Sequence, residues 1–117
     1  MTAAILATGD PERLYSGLSV LVSTAADGQP CAALASFGSL RLLLDRARPQ
    51  SDDRFGRSLD ELIDTALGLE NLSIHACAAS VETLAIDPTT LEARGLDGVK
   101  STPRFLKDNP GTALLFV

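Results

Sequence analysis

Leu72-Ser73-Ile74-His75-Ala76-Cys77-Ala78-Ala79-Ser80-Val81-Glu82-Thr83-Leu84-Ala85-Ile86 changes its hydrophobic period partway along. Leu72 to Ala76 is a short apolar run that suits a buried strand. From Ala78 the apolar positions fall at Ala78, Val81, Leu84 and Ala85, one face of a helix. A strand running directly into a helix is the repeating unit of an α/β fold. Cys77 stands at the joint, where the unpaired backbone N–H groups of a first helical turn favour a thiolate. The plainer reading of Cys77 is a small hydrophobe packed in a core, as free cysteines commonly are.

Outward from this unit the same alternation recurs. Ala3 to Ala7 reads as a strand ending in Thr8-Gly9-Asp10-Pro11, where Asp10 can cap a helix and Pro11 can fill its first position. Leu14, Leu18, Leu21, Val22 and Ala25 keep one face of that helix apolar as far as Asp27-Gly28. A second strand is expected over Cys31 to Phe37. Gly38-Ser39 opens a second helix with Leu40, Leu43, Leu44 and Ala47 on one face, Arg41 placed to pair with Asp45, and Pro49 as its stop. A polar surface loop is expected between Arg48 and Arg57, followed by a capping box, Ser58-Leu59-Asp60-Glu61, for a third helix that turns Leu59, Leu62, Ile63, Ala66 and Leu67 inward.

Beyond Asp87-Pro88, a weak helical turn over Thr89 to Arg94 leads to a fourth strand at Leu96-Asp97-Gly98-Val99. Thr102-Pro103 caps a brief helix to Asp108, and Pro110-Gly111 turns the chain into a closing strand, Ala113 to Val117. This spacing predicts one domain over residues 1–117 with a mostly parallel five-stranded sheet covered by helices on both faces. Sites in such sheets form at the carboxyl ends of the strands. Here those ends read Thr8-Gly9-Asp10, Phe37-Gly38-Ser39, His75-Ala76-Cys77 and Lys100-Ser101-Thr102.

His75 shares a side of its strand with Cys77 and could serve the thiol as base or hydrogen-bond partner, or be a half-buried histidine satisfied by backbone. Lys100, Ser101 and Arg104 surround a helix start that could hold an anion and favour a thiolate, or they form a solvated face. Gly9 and Asp10 match neither a dinucleotide fingerprint nor a phosphate loop. They stand with Gly38 and Ser39 as strand-end candidates for binding a small anion. Cys31 reads as core.

Composition narrows the classes. The 117 residues are 45% hydrophobic and 21% charged, with four Phe, one Tyr and no Trp, and the mean hydropathy is positive, which is globular rather than disordered. A net charge of −5 argues against a nucleic-acid partner, whose phosphates need clustered Lys and Arg. No apolar run reaches the roughly 18 residues that span a bilayer, and the N-terminus lacks the basic start of a signal peptide, so no membrane partner and a cytoplasmic location are expected. Cys31 and Cys77 fall at opposite ends of the sheet, too far apart for a disulfide. One His and two Cys fall short of a structural zinc set, and no metal or organic cofactor is expected.

In Ile5-Leu6-Ala7-Thr8-Gly9-Asp10-Pro11, Ala35-Ser36-Phe37-Gly38-Ser39-Leu40, Ile74-His75-Ala76-Cys77-Ala78-Ala79-Ser80, and Leu96-Asp97-Gly98-Val99 followed by Thr102-Pro103-Arg104-Phe105-Leu106, the chain resembles the DsrE/DsrF-like family, which includes the TusD-type sulfur relay proteins. The resemblance spans most of the chain. It implies a flavodoxin-like three-layer α/β/α domain, assembly into trimers or hexamers, and a cysteine after a central strand that takes sulfane sulfur as a persulfide. Cys77 matches that position. The expected function is a sulfur carrier, a sulfurtransferase of the carrier type, whose partners are sulfur donor and acceptor proteins or small sulfane-sulfur compounds. The alternative is an oligomeric module that binds a small anion or nucleotide at the strand ends, with Cys77 merely packed.

Overall fold

Alanines line both faces of the inner strands, which lets helices lie close to the sheet. In the computed structural model, which describes residues 1–45 and 53–117, β1 (Thr2–Leu6), β2 (Cys31–Ala35), β3 (Leu72–Cys77), β4 (Val99–Lys100) and β5 (Ala113–Phe116) form one sheet in the order β4-β3-β2-β1-β5. Every pairing is parallel. The helices are α1 (Pro11–Ala26), α2 (Phe37–Leu44), α3 (Arg54–Gly68), α4 (Ala78–Thr83), α5 (Pro88–Arg94) and α6 (Thr102–Asp108). The result is a three-layer α/β/α sandwich.

Its outer layers are unequal, and chain path explains why. From β1 to β4 each connection steps the same way along the sheet, so right-handed crossovers put α1 to α5 on one face. The connection from β4 to β5 steps back past β1 and therefore puts α6 on the other. The first face carries the main core: Leu14, Leu18 and Leu21 of α1, Leu40 and Leu43 of α2, Leu59 and Ile63 of α3 and Leu91 of α5 close over Leu6, Ala33, Ala35, Ile74 and Ala76. The second is small, with Phe105 of α6 buried against Ala3, Ala32, Leu34 and Cys77.

Several boundaries differ from the sequence expectation. Strand β2 stops at Ala35, because Ser36 takes the extended N-cap conformation of α2 and Phe37 adopts a left-handed φ of 38°. Helix α3 starts at Arg54 rather than after the Ser58 box; the Asp53 carboxylate accepts the Phe55 N–H at 3.1 Å and supplies the cap. The earlier start brings Phe55 against Tyr15, with ring centroids 5.7 Å apart, so Tyr15 is occupied within the chain. The rest of the expected polar loop, with Ala47 and Pro49, lies outside the described residues.

The fourth strand is shorter than Leu96 to Val99 suggests. Before it, the Asp97 carboxylate accepts the Ile74 N–H at 2.8 Å, in the place of a strand carbonyl, while the Asp97 N–H donates to Ile74 O at 2.9 Å. A side chain interrupts the ladder there. The turn over Thr89 to Arg94 is a full helix, α5, because Asp87 caps it through both the N–H and the hydroxyl of Thr89. Arg94 then fastens α5 to its neighbours, donating from Nε to Leu43 O at 2.8 Å and from Nη1 to Asp64 Oδ1 at 2.6 Å. Among the described residues no helix is long and apolar enough to cross a membrane.

Candidate functional site

Crossovers leave β3 and β4 toward opposite faces, α4 going to the crowded side and α6 to the open one. Adjacent strands whose connections diverge leave a crevice at their carboxyl ends. Cys77, the last residue of β3, and Lys100, the last of β4, are register partners on its two sides. Cys77 also serves as the N-cap residue of α4.

Burial pushes the Cys77 thiol up, but it is outweighed by the backbone N–H and hydroxyl of Ser80, the backbone N–H of Ala79 and the hydroxyl of Thr102. Together these hold the group below its ordinary value. The Cys77 side chain makes no cap hydrogen bond with α4; the effect of these donors is on the anion. Helix α4 has six residues and little macrodipole of its own, so these local donors do what the sequence reading assigned to a helix end.

Ser80 is held for this purpose. It is fully buried, and its oxygen accepts the Phe37 N–H at 3.0 Å, leaving its own proton free to point at sulfur. Phe37 carries its left-handed φ at the start of α2, a conformation that costs a non-glycine residue on the order of 1–2 kcal/mol. Its ring is exposed.

His75 lies on the same side of β3 as Cys77, as the two-residue spacing requires, but its electrostatic partners are other groups. Burial and the Lys100 ammonium hold the imidazole below its ordinary value, against Asp97 and Asp108, which raise it. Lys100 Nζ is paired with Asp108 Oδ2 at 2.9 Å, and Arg104 Nε reaches the same carboxylate at 3.2 Å. The Lys100 charge is therefore paired with α6.

The remaining candidates each make a contact within the chain. Ser101 caps α6 by accepting the Arg104 N–H. Asp10 caps α1 by accepting the Glu12 N–H at 3.0 Å. Ser39 is fully buried and donates to Thr8 O at 2.7 Å. Gly9 and Gly38 touch backbone to backbone, so closely that a Cβ on Gly38 would lie 2.6 Å from Gly9 Cα. Gly9, Gly38 and Ser39 thus lock the loop after β1 onto the start of α2.

Cys31 has the opposite surroundings to Cys77. Burial raises its thiol above the ordinary value, against the N-terminal ammonium and the Thr2 N–H, and Sγ donates to Gln29 O at 3.5 Å. Both cysteines are free. Among the described residues no cluster of His, Cys, Asp or Glu is arranged to hold a metal ion.

Sequence reasoning gives Ser80, Thr102 and Phe37 no part beside Cys77. Ser80 was legible in principle, because a residue three positions after the N-cap lies in the first turn of the helix, beside the capping side chain. Phe37 and Thr102 stand at strand ends in the sequence, but which of those ends meet at Cys77 depends on strand order. The chain matches no protein-family model, and no curated protein matches it in sequence.

Proposed function

We propose that the protein is a sulfur carrier in which Cys77 accepts sulfane sulfur as a persulfide and passes it to an acceptor thiol. The observation that carries the reading is the place of Cys77, at the end of a central strand and at the N-cap of α4, in register with Lys100 across the β3–β4 crevice; Ser80, Ala79 and Thr102 favour its thiolate against burial. A core cysteine gains nothing from such a set, as Cys31 illustrates. Thiolate is the form that attacks sulfur.

In the loading step the Cys77 thiolate attacks the outer sulfur of a donor persulfide, R–S–SH. A bond forms between Cys77 Sγ and that sulfur, the donor S–S bond breaks, and R–S⁻ leaves, giving Cys77–S–SH. In unloading, an acceptor thiolate attacks the outer sulfur in turn and Cys77 thiolate is the leaving group, which its low basicity favours. No net oxidation occurs and no cofactor is needed. The donors that hold the thiolate serve both steps, since each begins or ends with that anion.

Self-association belongs to the same proposal. Leu114 and Phe116 share the α6 side of the sheet with their register partners Ala3 and Ile5 and are 51% and 70% exposed, which supports a contact surface on the outer strand. A trimer or hexamer in light scattering is expected, and a monomer at high concentration would remove this part.

Transfer is tested by loading the chain with polysulfide, removing excess, and adding cyanide, which takes the outer sulfur as thiocyanate. Thiocyanate in proportion to protein is expected from the native chain and none from Cys77→Ser. Equal yields from both would refute the assignment.

A further inference from the structure

Cys77 is 5% exposed, yet a carrier must meet a donor and an acceptor. What covers it is α6, the seven-residue helix that the returning crossover places alone on this face among the described residues. We propose that α6 is a strap that opens to expose Cys77, and that the Lys100–Asp108 ion pair holds it closed. The proposal rests on the carrier reading only for the reason access is needed.

Three contacts in line hold α6 down. At its start Thr102 lies beside the Cys77 sulfur. At its middle Phe105, fully buried, plugs the space over Ala32, Leu34 and Cys77. At its end Asp108 takes Lys100 at 2.9 Å, with Arg104 on the same carboxylate. Cys77 and His75 are roughly 7 Å apart along β3, Cys77 packed with Phe105 and His75 within the field of Asp108.

The flanking chain is suited to movement. β4 has only two residues to anchor the helix start. Glycines with left-handed backbone, Gly98 at φ 125° and Gly111 at φ 68°, stand on either side of the segment. The outer surface of α6, with Arg104, Leu106 and Lys107, is exposed. Of its three tethers, one is an ion pair between side chains 26% and 29% exposed, which ions in solution reach and weaken. Opening also removes the Thr102 hydroxyl from the sulfur, so the thiolate becomes more basic as it becomes reachable.

The test is the rate of iodoacetamide alkylation at Cys77 in the native full chain, followed by peptide mass spectrometry with Cys31 as internal reference. Rates are compared on the alkaline plateau, where differences in thiol acidity no longer contribute. Asp108→Asn is expected to raise the Cys77 rate on the order of fivefold, the scale of one such ion pair, and to leave Cys31 unchanged. Molar salt is expected to raise the native rate and to have no effect in Asp108→Asn. A Cys77 rate unchanged by the substitution, or a native rate already equal to that of the urea-unfolded chain, overturns the strap.

Should Asp108→Asn fail to fold, hydrogen exchange in the unaltered chain decides. The Phe105 and Asn109 amides are expected to exchange well ahead of those of Ile74 and Ala76, and exchange together with β3 overturns the proposal. Faster alkylation without persulfide formation in any variant would leave the strap and remove the carrier. Persulfide formation at equal rates in the native chain and Asp108→Asn would do the reverse.

Discussion

Phe37 donates its backbone N–H to the Ser80 hydroxyl at 3.0 Å, and so joins the loop after β2 to a residue that faces the Cys77 sulfur after β3. Removing that hydroxyl strips the thiolate of one donor and leaves a Phe37 N–H without its partner. Ser80→Ala is expected to move the pH profile of Cys77 alkylation upward and to cost about 1–3 kcal/mol in urea unfolding. Ser80→Thr, which keeps the hydroxyl, should recover most of the profile. An unmoved profile in Ser80→Ala would show that Ser80 only packs.

The two cysteines should titrate apart. The Cys77 thiol is lowered, with its local donors overcoming burial, and the Cys31 thiol is raised because burial dominates. Alkylation resolved by peptide should therefore label Cys77 over a lower pH range than Cys31, each compared with its own alkaline plateau. Coincident profiles would contradict the electrostatic picture of the site.

Gly38 has no room for a side chain, since an added Cβ would sit 2.6 Å from Gly9 Cα and 2.7 Å from Gly9 N. Both atoms belong to backbone, so the ends of β1 and β2 must part. Gly38→Ala is expected to destabilise the chain by about 1–3 kcal/mol, measured by urea unfolding. Gly68→Ala, where an added Cβ meets nothing, is the control that should fold with native stability or better. Equal stability of Gly38→Ala and the native chain would contradict the close approach.

Burial and Lys100 hold the folded imidazole of His75 below its unfolded value of about 6.5. The native state then binds fewer protons than the unfolded one, so the stability from His75 is present above about 6.5 and is lost as pH falls toward the folded value. The urea midpoint should decline through this window, and more shallowly in His75→Gln. Identical slopes would remove His75 as the cause.

Much of this fold is legible in local pattern. The alternation of short apolar runs with helical stripes places all five strands, and the paired ends of β3 and β4 fall where parallel sheets keep their sites. Boundaries set by individual side chains are less legible. Asp53 rather than Ser58 caps α3, and Asp97 replaces a strand carbonyl, because either choice satisfies the same backbone donors and only tertiary packing selects one. At the site, Cys77 is visible from the change of period, whereas its donors depend on strand order. Thr102 arrives because α6 crosses the open face, and Lys100, adjacent in register, turns instead to Asp108.

Cys77 as the sulfur acceptor is tested most directly by incubating the native chain and Cys77→Ser with polysulfide and measuring tryptic peptides by mass spectrometry. Cleavage after Arg57 and Arg94 separates Cys77 from Cys31. The mass of one added sulfur on the Cys77 peptide, removed by reductant and missing in Cys77→Ser, is the expected result. Sulfur on Cys31 alone, or on neither cysteine, would contradict a carrier role for Cys77.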